Sequence, residues 1–196
     1  MFLQTPILDD VIADLTVGQM VYLSGTVYTA RDAAHKRMVE MLKRGEMPPF
    51  PFAGQVVFYA GPCPSPPGRV IGSIGPTTSG RMDAYAPELM RHGLKAMIGK
   101  GTRSAEVVTA IQDCGGVYFA AIGGAAAAMS RCVQAAEVVA FDDLGTEAVR
   151  RLTVERLPLI VAVDSCGNSV YGQGAGVRVD VRSFFPPEVR NLQPEA

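Results

Sequence analysis

Segments typical of β-strands alternate with segments typical of α-helices along most of this chain. The strand-like segments are rich in β-branched and other apolar residues and lie at 20–30, 54–62, 69–74, 94–101, 117–122 and 137–141. The helix-like segments lie at 31–45, 84–93, 104–116, 123–133 and 143–154. This alternation predicts an α/β fold in which helices flank a central sheet. A last apolar segment, 157–172, predicts two strands joined by a turn at Gly167 and Asn168.

Short polar residues mark where three of these helices are expected to begin. Asp32, Asp83 and Ser104 stand before helical segments, and their side chains can accept hydrogen bonds from the free N–H groups of a first turn. Gly45 and Gly93 follow two of the segments and predict their ends. No composition change marks a firm boundary, so we expect one domain over residues 1–196.

Charge and hydropathy exclude several classes of protein. The formal net charge is −1, whereas a nucleic-acid-binding domain needs a basic excess to neutralise phosphates. The sequence contains no uninterrupted apolar run of about 18 residues, so we expect no membrane span. The N-terminal residues lack a basic start followed by an apolar core, and we therefore expect a cytoplasmic protein without a secretory signal.

The four cysteines are widely scattered along the chain, at positions 63, 114, 132 and 166. They form no C-x-x-C pair, which disfavours a self-contained zinc site or a locally wound iron–sulfur site. We expect free thiols and no metal ligand in this chain.

The segment GPTTSGRMD, residues 75–83, predicts a binding loop between a strand and a helix. Anions bind at such junctions in α/β folds, where backbone N–H groups and the helix dipole favour negative charge. Thr77 and Thr78 offer hydroxyls, and Arg81 offers a planar fork suited to a carboxylate or phosphate. The alternative is a plain turn whose hydroxyls bind their own backbone and whose arginine pairs with Asp83. We call residues 75–83 the 75–83 loop.

A second junction contains Arg31, Asp32 and His35 in the segment TARDAAHKR. His35 lies one helical turn after Asp32, so Asp32 could orient it as a group that transfers a proton near neutral pH. The alternative is a capping interaction beside a solvated basic helix face. A third junction contains Lys100, after the strand at 94–101. If the three junctions share one sheet edge, Arg31, Arg81 and Lys100 would form a site for a dianion.

The segments TARDAAHKR, GPTTSGRMD and MIGKG, in this order and spacing, resemble the β-subunit or C-terminal domain of class I iron–sulfur fumarases and tartrate dehydratases. VDSCGN at 163–168 resembles a later motif of that family, and the resemblance extends from residue 5 to residue 172. It implies a swivelling β/β/α domain with a mixed central sheet flanked by helices. It also implies an α-subunit partner, in a heterotetramer, whose three cysteines ligate a [4Fe-4S] cluster. The open iron of that cluster would act as a Lewis acid.

The resemblance assigns roles to individual residues. Arg31, Arg81 and Lys100, with Thr78, fall where the family binds a dicarboxylate. Thr77 and His35 both match candidates for the acid or base, and the sequence leaves that choice open. Asp32 and Asp83 are expected to support these groups. The implied activity is the reversible hydration of fumarate to (S)-malate. The alternatives are dehydration of tartrate, since Gly80 gives only a weak preference for fumarate, and a non-catalytic dicarboxylate-binding domain.

Overall fold

The computed structural model describes residues 1–121 and 126–171. Its strands are β1 (Phe2–Gln4), β2 (Met20–Thr29), β3 (Val56–Phe58), β4 (Ala96–Gly99), β5 (Val117–Ala120), β6 (Val133–Ala140) and β7 (Val149–Val163). Its helices are α1 (Asp9–Ala13), α2 (Asp32–Lys43), α3 (Ala86–Arg91), α4 (Ala105–Cys114) and α5 (Ala126–Ser130). Short 3₁₀ turns cover Ser79–Met82 and Asp142–Glu147. None of the helices in these ranges has the length and apolar character needed to cross a bilayer.

The strands form one mixed sheet that closes on itself. β2, β3, β4 and β5 pair in parallel in that order. The long strand β7 then pairs antiparallel with both β5 and β2, which closes these strands into a 5-strand ring. β1 adds to β2 outside the ring and β6 adds to β7. The α/β class and the mixed sheet flanked by helices are therefore as expected from the sequence.

Side chains alternate between two hydrophobic cores. Val56, Phe58 and Ile98 belong to a core that draws on every strand of the ring and fills its interior. Val57 and Met97 point the other way, into a second core shared with α2, α3 and α4. β3, β4 and β5 are thus buried on both faces, which accounts for their nearly continuous apolar sequences.

Two segments differ from their predicted structure. Residues 69–74 are not a strand: Ile71 and Ile74 are buried three residues apart, which does not fit the period of two of a strand. The helix predicted at 143–154 is a 3₁₀ turn followed by the start of β7. Leu152 and Val154 both point into the ring core, and this spacing of two is the period of a strand rather than of a helix.

Two further predictions are met in part. The first strand of the predicted hairpin at 157–172 is the end of β7, and its return is a single bridge between Val163 and Ser169. Asp164 N donates to Asn168 O at the turn, over 3.1 Å. The helix predicted at 123–133 is present as α5, and its first residues, 123–125, lie outside the described ranges, as does residue 172.

Candidate functional site

The carboxyl ends of β2, β3, β4 and β5 lie at one edge of the sheet, because these strands are parallel. β3 and β4 separate at this edge, just beyond the hydrogen bond that Tyr59 N donates to Ile98 O over 2.8 Å. The 75–83 loop fills the gap between them. Thr77 N donates to Tyr59 O (2.7 Å), Lys100 N donates to Thr77 O (3.3 Å) and Ser79 N donates to Lys100 O (2.9 Å). We call these three hydrogen bonds the loop ladder.

The loop ladder brings predicted site residues together. Thr77 is half-buried, whereas Thr78, Arg81 and Lys100 are exposed beside it. Ser79 and Met82 point inward and are fully buried. The Thr77 and Thr78 hydroxyls and the Arg81 and Lys100 cations are therefore available to a ligand, while Ser79 and Met82 anchor the loop from beneath.

Arg81 connects the 75–83 loop to α2 through an ion pair with Asp32, the first residue of that helix. Half of the Arg81 side chain is exposed, so part of its fork remains accessible. The alternative pairing with Asp83 is not the one observed, because Asp83 binds elsewhere.

Arg31 directly precedes α2 and pairs with Glu147, its Nη2 3.3 Å from Oε1. The second oxygen of Glu147 accepts a hydrogen bond from Ala33 N in the first turn of α2, over 3.1 Å. The Arg31 side chain also lies against Gly61, where a side chain would contact its guanidinium. Glu147 was missed from the sequence because it stood inside a predicted helix.

His35 is fully buried, one turn into α2. Its Nδ1 lies 2.9 Å from the carbonyl oxygen of Arg31; a carbonyl can only accept, so Nδ1 carries the proton. Nε2 is buried and has no hydrogen-bond partner among the described residues. Burial lowers the pKa of His35 from 6.5 to about 4, so the ring is neutral at pH 7. The prediction that Asp32 orients this ring was wrong, because Asp32 pairs with Arg81 instead.

The sequence predicted that Asp83 caps the helix that follows it, and this prediction was wrong. α3 begins later, at Ala86. The Asp83 carboxylate accepts from Arg103 Nε and from Ser104 N, both over 2.7 Å, and so supports the start of α4. Ser104 caps α4 as predicted, accepting from Val107 N. Arg103 was missed because its sequence position, before a helix, resembles an exposed turn.

The charges at this edge suit a small anion. Arg31 and Arg81 are each paired with one carboxylate of the chain, and Lys100 pairs with none of the carboxylates in the described ranges. These groups therefore carry a surplus of one positive charge, which one carboxylate of a ligand would balance. Within residues 1–121 and 126–171, no grouping of His, Cys, Asp and Glu could hold a metal ion.

Comparison with known sequences identifies what the chain resembles. The sequence model of the family described as Fumarase C-terminus matches residues 1–174. The chain is 43% identical to a putative L(+)-tartrate dehydratase subunit beta of Methanocaldococcus jannaschii, over 82% of the chain and 85% of that protein. It is 42% identical to fumarate hydratase 1, mitochondrial, of Leishmania major, over 77% of the chain. It is 37% identical to the aerobic class I fumarate hydratase of Escherichia coli, over 84% of the chain. The matches cover 28% and 31% of these two hydratases, so the chain spans about a third of their length.

Proposed function

The chain belongs to the Fumarase C-terminus family, and we propose that it is the β-subunit of a hydro-lyase that interconverts fumarate and (S)-malate. The observation that carries this proposal is the loop ladder, which holds the Thr77 hydroxyl and the Lys100 cation on one short stretch of paired backbone. Arg81 reaches the same edge on the 75–83 loop. Hydroxyl and cation donors around one space are what a hydroxy-diacid requires.

The role of the cations follows from the charge that develops during the reaction. Removing a proton next to a carboxylate of malate builds negative charge on that carboxylate. Arg81, Lys100 and Arg31 would donate hydrogen bonds to the substrate carboxylates and stabilise this charge. Preorganised donors of this kind contribute about 2.7–4 kcal/mol each.

Thr77 is the better candidate for the proton-transfer group. Its side chain is half-buried at the open edge, where a substrate can approach. His35 is neutral at pH 7 and has a free lone pair on Nε2, but its ring is sealed from solvent beneath Tyr59 and Tyr85. A direct role for His35 would require the first turn of α2 to open.

The proposal includes a partner. Class I relatives of this family imply a [4Fe-4S] cluster, yet the described residues do not fit one: the four cysteines are separate free thiols. We therefore assign the cluster to an α-subunit, in a heterotetramer. The archaeal relative, itself named a subunit beta, supports a separate partner chain. The domain would close by a swivelling motion over the shared site, in the cytoplasm.

Tartrate is the second candidate substrate. The archaeal relative named for tartrate matches this chain over most of both lengths. Gly80, the residue behind the weak preference for fumarate, does not exclude tartrate: a Cβ there would have only Asp83 Oδ2 near it, at 3.9 Å, so the backbone accommodates a larger residue as well.

The test is reconstitution. The chain is purified alone and also with its cluster-bearing partner under anaerobic conditions, and each sample is assayed with fumarate, malate and L-tartrate. We expect no turnover by the chain alone. Cationic groups by themselves bind the substrate and the transition state with too similar an affinity to accelerate the reaction. We expect oxygen-sensitive fumarate–malate interconversion by the complex. Tartrate turnover alone would favour the second candidate, and dicarboxylate binding without turnover would indicate a binding domain.

A further inference from the structure

Arg103 is a buried cation at the point where the segments of the candidate site meet. None of its side chain is exposed. Its Nε donates to Asp83 Oδ1 over 2.7 Å, and its guanidinium carbon lies 5.2 Å from the ring centre of Tyr59 and 5.0 Å from that of Tyr118. A guanidinium over aromatic rings and beside a carboxylate is stabilised by both contacts.

Each of these neighbours belongs to a segment that forms the site. Asp83 is the last residue of the 75–83 loop and also accepts from Ser104 N. Tyr59 accepts the first hydrogen bond of the loop ladder through its carbonyl oxygen. Arg103 itself lies three residues after Lys100. The buried cation therefore contacts the chain on both sides of the loop ladder.

Tyr118 extends this contact to the middle of the 75–83 loop. Its hydroxyl lies 3.0 Å from Gly101 O and 2.8 Å from Ser79 Oγ. The carbonyl can only accept, so the single phenolic proton goes to Gly101 and Ser79 donates to Tyr118. The ring under Arg103 thus fixes Ser79, whose backbone N–H is part of the loop ladder.

We propose that Arg103 is a positioning residue for the candidate site, which holds the 75–83 loop and Lys100 in register without touching the substrate. Removing its fork would leave the partly buried Asp83 carboxylate without its cation, which is costly in a low-dielectric environment. The end of the loop would then be released while the strands beneath it stay paired. The part of the proposal that concerns catalysis rests on the proposed function; the part that concerns loop order does not.

Lysine cannot replace Arg103 in this role. An ammonium group supplies the charge, but it lacks the planar surface that lies over two rings and the fixed direction of the Nε–H bond. Arg103→Lys therefore separates charge from geometry. Arg44→Lys is a matched control, because Arg44 Nε also donates to a carboxylate, Glu46 Oε1 at 2.6 Å, but on an exposed surface.

Amide hydrogen exchange of the full chain tests loop order without any assay of activity. In Arg103→Lys we expect exchange of the 77–83 and 100–104 amides to accelerate by about tenfold or more, with the protection of α2 and β2 unchanged. Arg44→Lys should match the wild type throughout. Unchanged protection of the loop, or an equal loss of protection over the whole chain, would overturn the proposal.

Asp83→Asn provides a second route to the same contact, with almost no change in volume. It should release the same two segments, because the carboxylate accepts from Arg103 and Ser104 through two separate oxygens and an amide has only one. If neither variant folds, Arg103 is a residue of general stability and the proposal is wrong.

In the active complex, Arg103→Lys should lower kcat/KM by about tenfold or more, and Arg44→Lys should not.

Discussion

Arg81 forms its ion pair with Asp32, on α2, rather than with Asp83 at the end of its own loop. The pairing joins two segments that are far apart in the sequence and that both carry predicted site residues. The two aspartates therefore have different partners: Asp32 binds Arg81, and Asp83 binds Arg103 and Ser104. Arg81 is thereby held by one side of its fork and half exposed on the other.

Replacing Arg81 by lysine should lower kcat/KM of the reconstituted enzyme by at least about tenfold. An ammonium group cannot hold Asp32 and also bind a substrate carboxylate through two parallel hydrogen bonds. The fold should be unchanged, as judged by circular dichroism. Arg37→Lys is the control, because Arg37 makes a two-hydrogen-bond pair with Asp143 outside the site, with both distances 2.8 Å. Near-normal kinetics for Arg81→Lys would remove this residue from the site.

Thr77→Val should lower kcat by about a hundredfold or more and leave the affinity for dicarboxylates nearly unchanged. Valine keeps the shape of threonine, and both hydrogen bonds of residue 77 in the loop ladder are made by its backbone. His35→Asn should have the milder effect on kcat. Steady-state kinetics and calorimetric binding of a non-reactive dicarboxylate check both variants. The reverse ranking would assign proton transfer to His35.

His35 should make folding stability depend on pH. Its pKa is 6.5 in an unfolded chain and about 4 in the folded protein, because burial disfavours its charged form. Above pH 6.5 the ring is neutral in both states. As the pH falls from 6.5 to about 4, only the unfolded chain takes up the proton. The free energy of unfolding should therefore decrease by about 3 kcal/mol over this range.

Urea denaturation of wild type and of His35→Asn, at a series of pH values, isolates this contribution. Carboxylates titrate in the same range in both proteins, so the difference between the two curves reports the histidine alone. We expect the stability of the wild type to fall more steeply with decreasing pH. Parallel curves would mean that the ring is accessible to protons in the folded state.

Gly99→Ala should disturb the 75–83 loop, whereas Gly80→Ala should not. A Cβ at Gly99 would overlap the Ser79 hydroxyl, which is buried and bonded to Tyr118 and has no room to withdraw. We expect a loss of about 1–3 kcal/mol in the free energy of unfolding for Gly99→Ala. Gly80 faces open space, so its change should stay within about 0.5 kcal/mol. Equal thermal midpoints for the two variants would contradict the observed packing of the loop.

Replacing the four cysteines by serine should leave the iron content of the reconstituted complex unchanged. Cys63 and Cys166 are exposed, whereas Cys114 and Cys132 are partly buried, so the second pair carries any loss of stability. Iron and sulfide analysis of the complex, with the same replacement in the partner as the positive control, provides the measurement. Loss of the cluster from a variant of this chain would place an iron ligand here.

The parts of the fold that the sequence predicted are those with strong local signals. The strands predicted at 20–30, 94–101 and 117–122 and the helix capped by Ser104 each combine a hydrophobic period with a start or stop signal. They correspond to β2, β4, β5 and α4, and residue 122 lies outside the described ranges. The closure of the ring could not be predicted in this way. It depends on β7 pairing with β2, a contact between distant segments that leaves no local pattern. The helix predicted at 143–154 was wrong for a different reason, since Leu152 and Val154 follow the local period of two of a strand.

The candidate site was predictable to a similar extent. Residue types singled out Thr77, Thr78, Arg81 and Lys100 as candidates, and backbone hydrogen bonds place residues 77 and 79 beside Lys100 although residues 69–74 form no strand. Partners contributed by distant segments were not predictable: Glu147 for Arg31, and Arg103 for Asp83. The burial of His35 could not be predicted either. The sequence of its helix is typical of a basic, solvated face, and the burial depends on Tyr59 and Tyr85, which pack against the ring from other segments.

The loop ladder has a consequence for how this scaffold can diverge. Its hydrogen bonds join main-chain atoms of residues 59, 77, 79 and 100, so the spacing of the site is set by peptide groups that every amino acid except proline carries. Side chains at 77, 78, 80 and 100 can change identity while the distances between their Cα atoms persist. Under the proposed function, a change of substrate would then need only point substitutions, which agrees with relatives named for fumarate and for tartrate lying at comparable sequence distance from this chain.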